Sequence, residues 1–199
     1  MKITTDLHAT KKGVITVVVD DDVWRELPTA VYGRKPEFPK ECMSLDDFEE
    51  TFADIEYRYA FQYALNLLAK AMNPTKKLSQ KLMIKGISPM AIERVVSRCQ
   101  EKRFLDDRAW AEATVRSEMR KKNGPQRIME KLLTNGIEKS VAEEALESEY
   151  SGSSGAIRKL LQTKYRSHDI ASYEGRAAVV ASLTRKGFSR DDIERAIRS

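Results

Sequence analysis

Three times in this chain a leucine is followed four residues later by a glycine and then by an apolar residue. The copies are Leu82-Met-Ile-Lys-Gly86-Ile87, Leu132-Leu-Thr-Asn-Gly136-Ile137 and Leu183-Thr-Arg-Lys-Gly187-Phe188. The glycines lie 50 and 51 residues apart, so one unit of about fifty residues is used three times. Self-similarity at a fixed period sets the architecture before any local reading does. A short array of repeats presents an extended binding surface rather than a single catalytic cleft.

Each copy reads as helix, glycine turn, helix. Glycine supplies the left-handed backbone that ends a helix without Cβ strain. Helix-start signals follow it: Ser88-Pro89, Glu138 with Ser140, and Ser189 with Asp191 and Asp192. The apolar anchors of the last helix fall at Ile92, Val141 and Ile193, with helical partners at Val96, Ala145 and Ile197. The anchor is one residue early in the second copy, which predicts an altered orientation for that helix. A further helix is expected before each pair, over Tyr57–Met72, Asp106–Lys122 and Ala156–Arg166. Two helices and a turn cannot bury both faces alone, so a three-helix bundle per repeat is the natural closure. Neighbouring repeats, each with a small core, should share stability.

The first fifty-odd residues are different material. Val14–Val19 is the strongest strand signal, with Ile3–Leu7 as its hairpin partner. Pro28, Gly33, Pro36 and Pro39 break up a loop before Ser44-Leu-Asp-Asp47 starts a helix. The expected fold is mainly α: a tandem array of three three-helix repeats with a small N-terminal β-containing extension. Its divisions are 1–55, 56–104, 105–150 and 151–199, with Ser151-Gly-Ser-Ser-Gly155 as a flexible connector. Residues 1–55 hold 7 Lys+Arg against 12 Asp+Glu, whereas residues 56–199 hold 28 against 18. An acidic head thus precedes a basic body, and the head could shield that body electrostatically.

Several function classes are excluded. No apolar stretch approaches the ~20 residues a membrane span needs, and Met1-Lys-Ile-Thr-Thr-Asp is not followed by a secretory apolar region. Cys42 and Cys99 belong to no Cys-x-x-Cys pair and read as reduced thiols of a cytoplasmic protein. His8 and His168 have no ligand-spaced partners, and no phosphate loop or nucleophile elbow is present. Asp106-Asp107 opens a helix, where acids are stabilised by free amides. The expectation is therefore a non-enzyme with no cofactor, no metal and no catalytic residue.

The basic surface remains. Arg94, Arg98 and Lys102 are spaced four apart and share a helix face, with Arg103 beside them; Arg116, Arg120, Lys121, Lys122 and Arg127 follow. Glu112 lies four residues before Arg116, the favourable order for a helical ion pair. A basic stripe along a repeat array suits a polyanion or an acidic protein groove. These nine cations are the candidate partner- and DNA-binding residues. An alternative is a direct helix-turn-helix-like DNA-binding protein with Arg94–Lys102 on the recognition helix. Against it, Ala142-Glu-Glu-Ala-Leu-Glu147 after the second glycine is acidic.

The residues also carry a resemblance. Ala64-Leu65 with Leu67-Leu68-Ala69, Phe104-Leu105-Asp106-Asp107-Arg108 with Trp110-Ala111, Gly124-Pro125 with Arg127-Ile128, and Arg185-Lys186-Gly187-Phe188 resemble the RecX family, regulators of the RecA recombinase. The likeness covers roughly residues 57–199. Trp110 stands where the family more often has Phe, and Asn135 replaces the usual Lys before Gly136. The resemblance implies tandem three-helix repeats and a non-enzymatic role in homologous recombination, DNA repair and the SOS response. It further implies binding in the groove of the RecA–single-stranded-DNA filament, inhibition of recombinase ATPase and strand exchange, and filament disassembly or blocked extension. Weak sequence-independent DNA contact is compatible with it, no membrane is involved, and a monomer suffices.

Overall fold

The structure is a computed structural model that describes residues 1–39 and 42–198. Lys40 and Glu41, inside the expected proline-rich loop, and Ser199, at the end of the expected third repeat, lie outside the described residues. Two compact units are present, Met1–Leu105 and Asp106–Ser199. The first contains β1 (Ile3–Leu7), β2 (Val14–Val19), β3 (Asp22–Pro28), α1 (Thr29–Tyr32), α2 (Leu45–Lys70), α3 (Thr75–Ile84) and α4 (Pro89–Glu101). The second contains α5 (Asp107–Arg120), α6 (Pro125–Thr134), α7 (Lys139–Glu149), α8 (Ser154–Gln162), α9 (Tyr173–Arg185) and α10 (Arg190–Arg198).

The recurring motif is a helix stop in which every member has a job. Gly86, Gly136 and Gly187 have φ of +70°, +85° and +86°. Each glycine N–H bonds a carbonyl three residues back, and the next N–H reaches the leucine carbonyl: Ile87 to Leu82 at 3.3 Å, Ile137 to Leu132 at 3.1 Å, Phe188 to Leu183 at 3.3 Å. This is a Schellman closure, which also brings the leucine side chain against the apolar residue past the glycine. All three leucines are fully buried.

The register beyond the turn is the same in all three copies, contrary to the expected shift in the second. Ile92, Ala142 and Ile193, six residues after each glycine, are buried, as are Val95, Ala145 and Ala196, nine after it. Val141 is only half-buried. A small alanine takes the core position in α7, and a larger apolar neighbour in the sequence obscures it. Val96 and Ile197 likewise pack only partly against their cores.

The head is a three-stranded antiparallel sheet in the order β1-β2-β3, with a bulge at Val17/Val18. The hairpin of β1 and β2 is as expected; β3 and α1 are additions. Asp20 and Asp21, with φ of +48° and +72°, form the two-residue turn into β3, the conformation that matches the twist of paired strands. The helix expected from Tyr57 starts at Leu45, because Ser44 caps it by accepting from the Asp47 N–H at 3.2 Å. The expected boundary at residue 55 thus falls inside α2. Ile15, Val17, Leu27 and Tyr32 share one buried cluster with Phe52, Leu78, Leu82 and Val95. Trp24 meets Phe48 and Phe52 edge-on, each at 4.9 Å. The head is core material of the first unit rather than a detachable shield.

Among the described residues, one buried charge sits in each unit. Glu56 accepts from Arg25 at 2.7 Å, Tyr32 at 2.9 Å and the Ser88 backbone N–H at 3.2 Å. Arg25 also donates to the Gly86 carbonyl, so the head ties down the first glycine turn. Glu118 accepts from Lys131 at 2.7 Å, Lys121 at 2.9 Å and Asn123 at 2.6 Å. Burial alone would raise the Glu118 carboxyl, but the three donors outweigh it and hold it at about 2.

Within the second unit the glycine turn of one helical trio docks on the helix start of the other. The Gly124 N–H donates to the Lys186 carbonyl at 2.7 Å, and the Gln126 N–H to the Gly187 carbonyl at 3.1 Å. A Cβ on Gly124 would overlap the Gly187 backbone, and one on Gly187 would overlap Arg127. Gly175 of α9 corresponds to Gly124 one repeat later, and a Cβ there would overlap the Asp169 carbonyl. There the Asp169 loop takes the place that the Gly187 turn takes at Gly124. The expected Ser151–Gly155 connector is half helix: α8 already begins at Ser154, and Ser153 is buried.

These contacts set two expectations. Gly124→Ala and Gly187→Ala should each cost about 1–3 kcal/mol through overlap in a packed junction, whereas Gly155→Ala, helical and in open space, should gain about 0.4–1 kcal/mol; denaturant melts of the three variants rank them. Because the folded Glu118 pKa lies below the unfolded value, its contribution is complete above about pH 5 and is lost as pH falls toward 2. That contribution is about 3 kcal/mol, so Glu118→Gln should flatten the acid limb of a stability-versus-pH curve by this amount.

Candidate functional site

Four expected contact residues lie in the first unit. Arg94 and Arg98 project from the exposed face of α4, opposite Ile92 and Val95. Neither is unengaged: Arg94 sits 2.8 Å from Asp54 and lies 4.4 Å over the Tyr57 ring, and Arg98 pairs with Glu101 at 3.0 Å. Lys102 and Arg103 follow at the helix end, both exposed, with no ion pair among the described residues. Arg103 is left-handed at φ +56°. Its N–H bonds the Gln100 carbonyl at 2.9 Å and the Phe104 N–H bonds Cys99 at 2.8 Å. This is the same helix closure as at the glycine turns, with arginine in the glycine position. A side chain there costs about 1 kcal/mol.

The other five lie in the second unit. Asp106 caps α5, accepting from the Ala109 N–H at 2.8 Å, which fits its expected role as a helix cap. Arg116 pairs with Glu149 rather than Glu112, because Glu112 is taken by Arg108 at 3.3 Å. Lys121 is held by Glu118. Arg127 donates to the Arg185 carbonyl at 3.2 Å, so its guanidinium braces the junction of the two glycines. Arg120 and Lys122 have no carboxylate partner among the described residues. Lys122, at φ +57°, repeats the left-handed cation of Arg103: its N–H reaches Met119 at 2.8 Å and the Asn123 N–H reaches Glu118 at 3.1 Å.

Three further lysines join this group. Lys159 of α8 lines a cavity of about 400 Å3 with Arg120 and Lys122. Lys186 reaches the Asn123 Oδ1 at 3.3 Å. Burial pulls its ammonium below the ordinary lysine range, and the positive charges of Lys164, Arg127 and Lys122 add to the effect. Sequence spacing could not find them. Lys159 and Lys164 lie in a different repeat from Arg120, and Lys186 reads only as a cation at a helix end. The arrangement gathers positive charge, and among the described residues it offers no nucleophile and base pair. Among the described residues no group of His, Cys, Asp and Glu could hold a metal, and no helix is long and apolar enough to cross a membrane.

With this geometry in view, the comparisons with known proteins are consistent. A family model for the first three-helix domain of RecX matches residues 60–99, and one for the second matches residues 106–146. A regulatory protein RecX from Caldanaerobacter subterraneus subsp. tengcongensis is 32% identical over 146 residues, covering 72% of this chain and 71% of that protein. One from Bacillus licheniformis is 30% identical over 163 residues, covering 80% of this chain and 61% of that protein. A crystal structure of regulatory protein RecX superposes with a TM-score of 0.69 at 20% identity, over 100% of this chain and 98% of the other, which is a likeness of fold. The fold, the matched domains and the relatives agree: this chain belongs to the RecX family of regulatory proteins.

Proposed function

We propose that this chain is a non-enzymatic, cytoplasmic, monomeric regulator of the RecA recombinase that binds the RecA–single-stranded-DNA filament in its groove. Binding inhibits ATP hydrolysis and strand exchange, and it promotes filament disassembly or blocks extension. The contact surface is carried by Arg94, Arg98, Lys102 and Arg103 in the first unit and by Arg116, Arg120, Lys121, Lys122 and Arg127 in the second.

The observation that carries this reading is the pair of left-handed cations. Arg103 and Lys122 each occupy a helix-end position that glycine would fill at lower cost. Neither has an ion pair among the described residues. Strain that persists without a local stabilising contact points to a use outside the fold. Free cations at helix ends suit phosphates and acidic side chains of a filament. Arg94 and Arg98 weigh against the helix-turn-helix alternative, since both are already engaged by Asp54, Tyr57 and Glu101 and a base-reading helix needs such side chains free.

Arg103→Gly and Lys122→Gly separate function from fold. Each should raise stability or leave it level, by up to about 1 kcal/mol, while the double variant should bind RecA-coated single-stranded DNA at least about tenfold more weakly, a loss of about 1.4 kcal/mol. Binding is measured near physiological salt with recombinase ATPase in parallel. Unchanged filament affinity and ATPase inhibition in the double variant would contradict the assignment.

A further inference from the structure

The cavity of the second unit shares Arg120 and Lys122 with the filament reading and adds Lys159 and an apolar wall that the filament reading does not use. Arg120 at the end of α5, Lys122 just past it and Lys159 of α8 are its only charged walls among the described residues. Met119, Tyr150 and Ala156, the polar Asn123 and Ser151, and two glycines supply the rest, and among the described residues no carboxylate lines it. Several cations elsewhere in this unit are matched, Arg116 with Glu149, Lys131 with Glu118 and Arg176 with Glu194, whereas among the described residues none of the three in this wall is. The concentration of positive charge extends behind the wall to Lys186 and Lys164. Like charges gathered without a counterion repel one another and destabilise the compact state, and a bound anion would reverse that cost. The first turn of α8 has no side-chain cap and meets the same cavity at Gly155 and Ala156, adding backbone amides.

We propose that this cavity is a nucleotide site, which takes the polyphosphate of a nucleoside polyphosphate on Arg120, Lys122 and Lys159 and the base against Tyr150 and Met119. Its volume of about 400 Å3 lies within the range of about 300–1,000 Å3 usual for small-molecule sites. Charge decides between phosphate sources. A phosphodiester linkage brings one negative charge, whereas a terminal phosphate alone brings about 1.5 to 2. Three converging cations are therefore neutralised by the end of a polyphosphate and left in excess by a single backbone phosphate. The apolar part of the wall, Met119 with the Tyr150 ring, gives the base a surface that inorganic phosphate would not use. The proposal goes beyond the filament reading and is tested on the chain alone.

ATP, AMP and a short deoxythymidine oligonucleotide are titrated into the full chain and into the double variant Arg120→Gln/Lys159→Gln, with calorimetry and thermal melts as readouts. Both substituted side chains are exposed and their removal relieves like-charge repulsion, so the variant should fold and melt no lower than the natural chain does. ATP should saturate the natural chain at one per molecule and raise its melting temperature. AMP should bind at least about tenfold more weakly, and the double variant should lose about tenfold or more of the ATP affinity. Absence of saturation by about 1 mM ATP, or equal ATP affinity in the natural chain and the variant, would overturn the proposal. So would an oligonucleotide that binds more tightly than ATP and displaces it, which would give the cavity to a strand backbone.

Discussion

The carbonyls of Leu82, Leu132 and Leu183 each accept the N–H of the apolar residue five positions on, and that bond closes only if the residue just before the donor is left-handed. Glycine fills that place three times. Much else depends on this closure. It seats the leucine and the following Ile87, Ile137 or Phe188 in one core, and it starts the next helix in a fixed register. In the second unit it also exposes the carbonyls of Lys186 and Gly187 to the amides of Gly124 and Gln126. Repeat arrays gain stability from such neighbour contacts. Here the contact is backbone on backbone, which is why glycine stands on both sides of it. In the first unit Arg25 serves the Gly86 carbonyl instead, so the sheet does for that turn what a helix start does for the Gly187 turn.

The same closure is used at the ends of α4 and α5, but with arginine and lysine in the strained place. A fold that uses glycine for this purpose elsewhere keeps cations there at a cost of about 1 kcal/mol each. Around them the electrostatics divide sharply. Glu118 and Glu56 are buried and fully supplied with donors, and they order the interior. Lys102, Arg103, Arg120, Lys122 and Lys159 have no such partners among the described residues. The first set builds the repeats, and the second is the set on which the proposed contact surface and cavity draw.

Much of this was legible in the residues. The repeat period, the Schellman stops, the β1–β2 hairpin and the Asp106 cap all follow from local chemistry, because each depends on residues within a few positions of one another. What was hidden depends on contacts across the fold. The core role of Ala142 is invisible next to Val141, since alanine signals burial weakly. The continuity of α2 through residue 55 comes from aromatic packing of Trp24, Phe48 and Phe52, which makes the acidic head inseparable from the first repeat. Ion-pair choices were misread for the same reason: Arg116 finds Glu149, thirty-three residues away, in preference to Glu112. The left-handed state of Arg103 and Lys122 has no sequence signature, because neither is the glycine or asparagine that would announce it.

On the proposed function, the cations at these helix ends face the recombinase filament. Imaging this chain bound to RecA-coated single-stranded DNA, at a resolution that places side chains, tests it most directly. The account predicts that Arg103 and Lys122 lie against acidic side chains or phosphates in the filament groove. A bound chain that meets the filament through the exposed edge of its N-terminal sheet, with both helix ends turned to solvent, would contradict it.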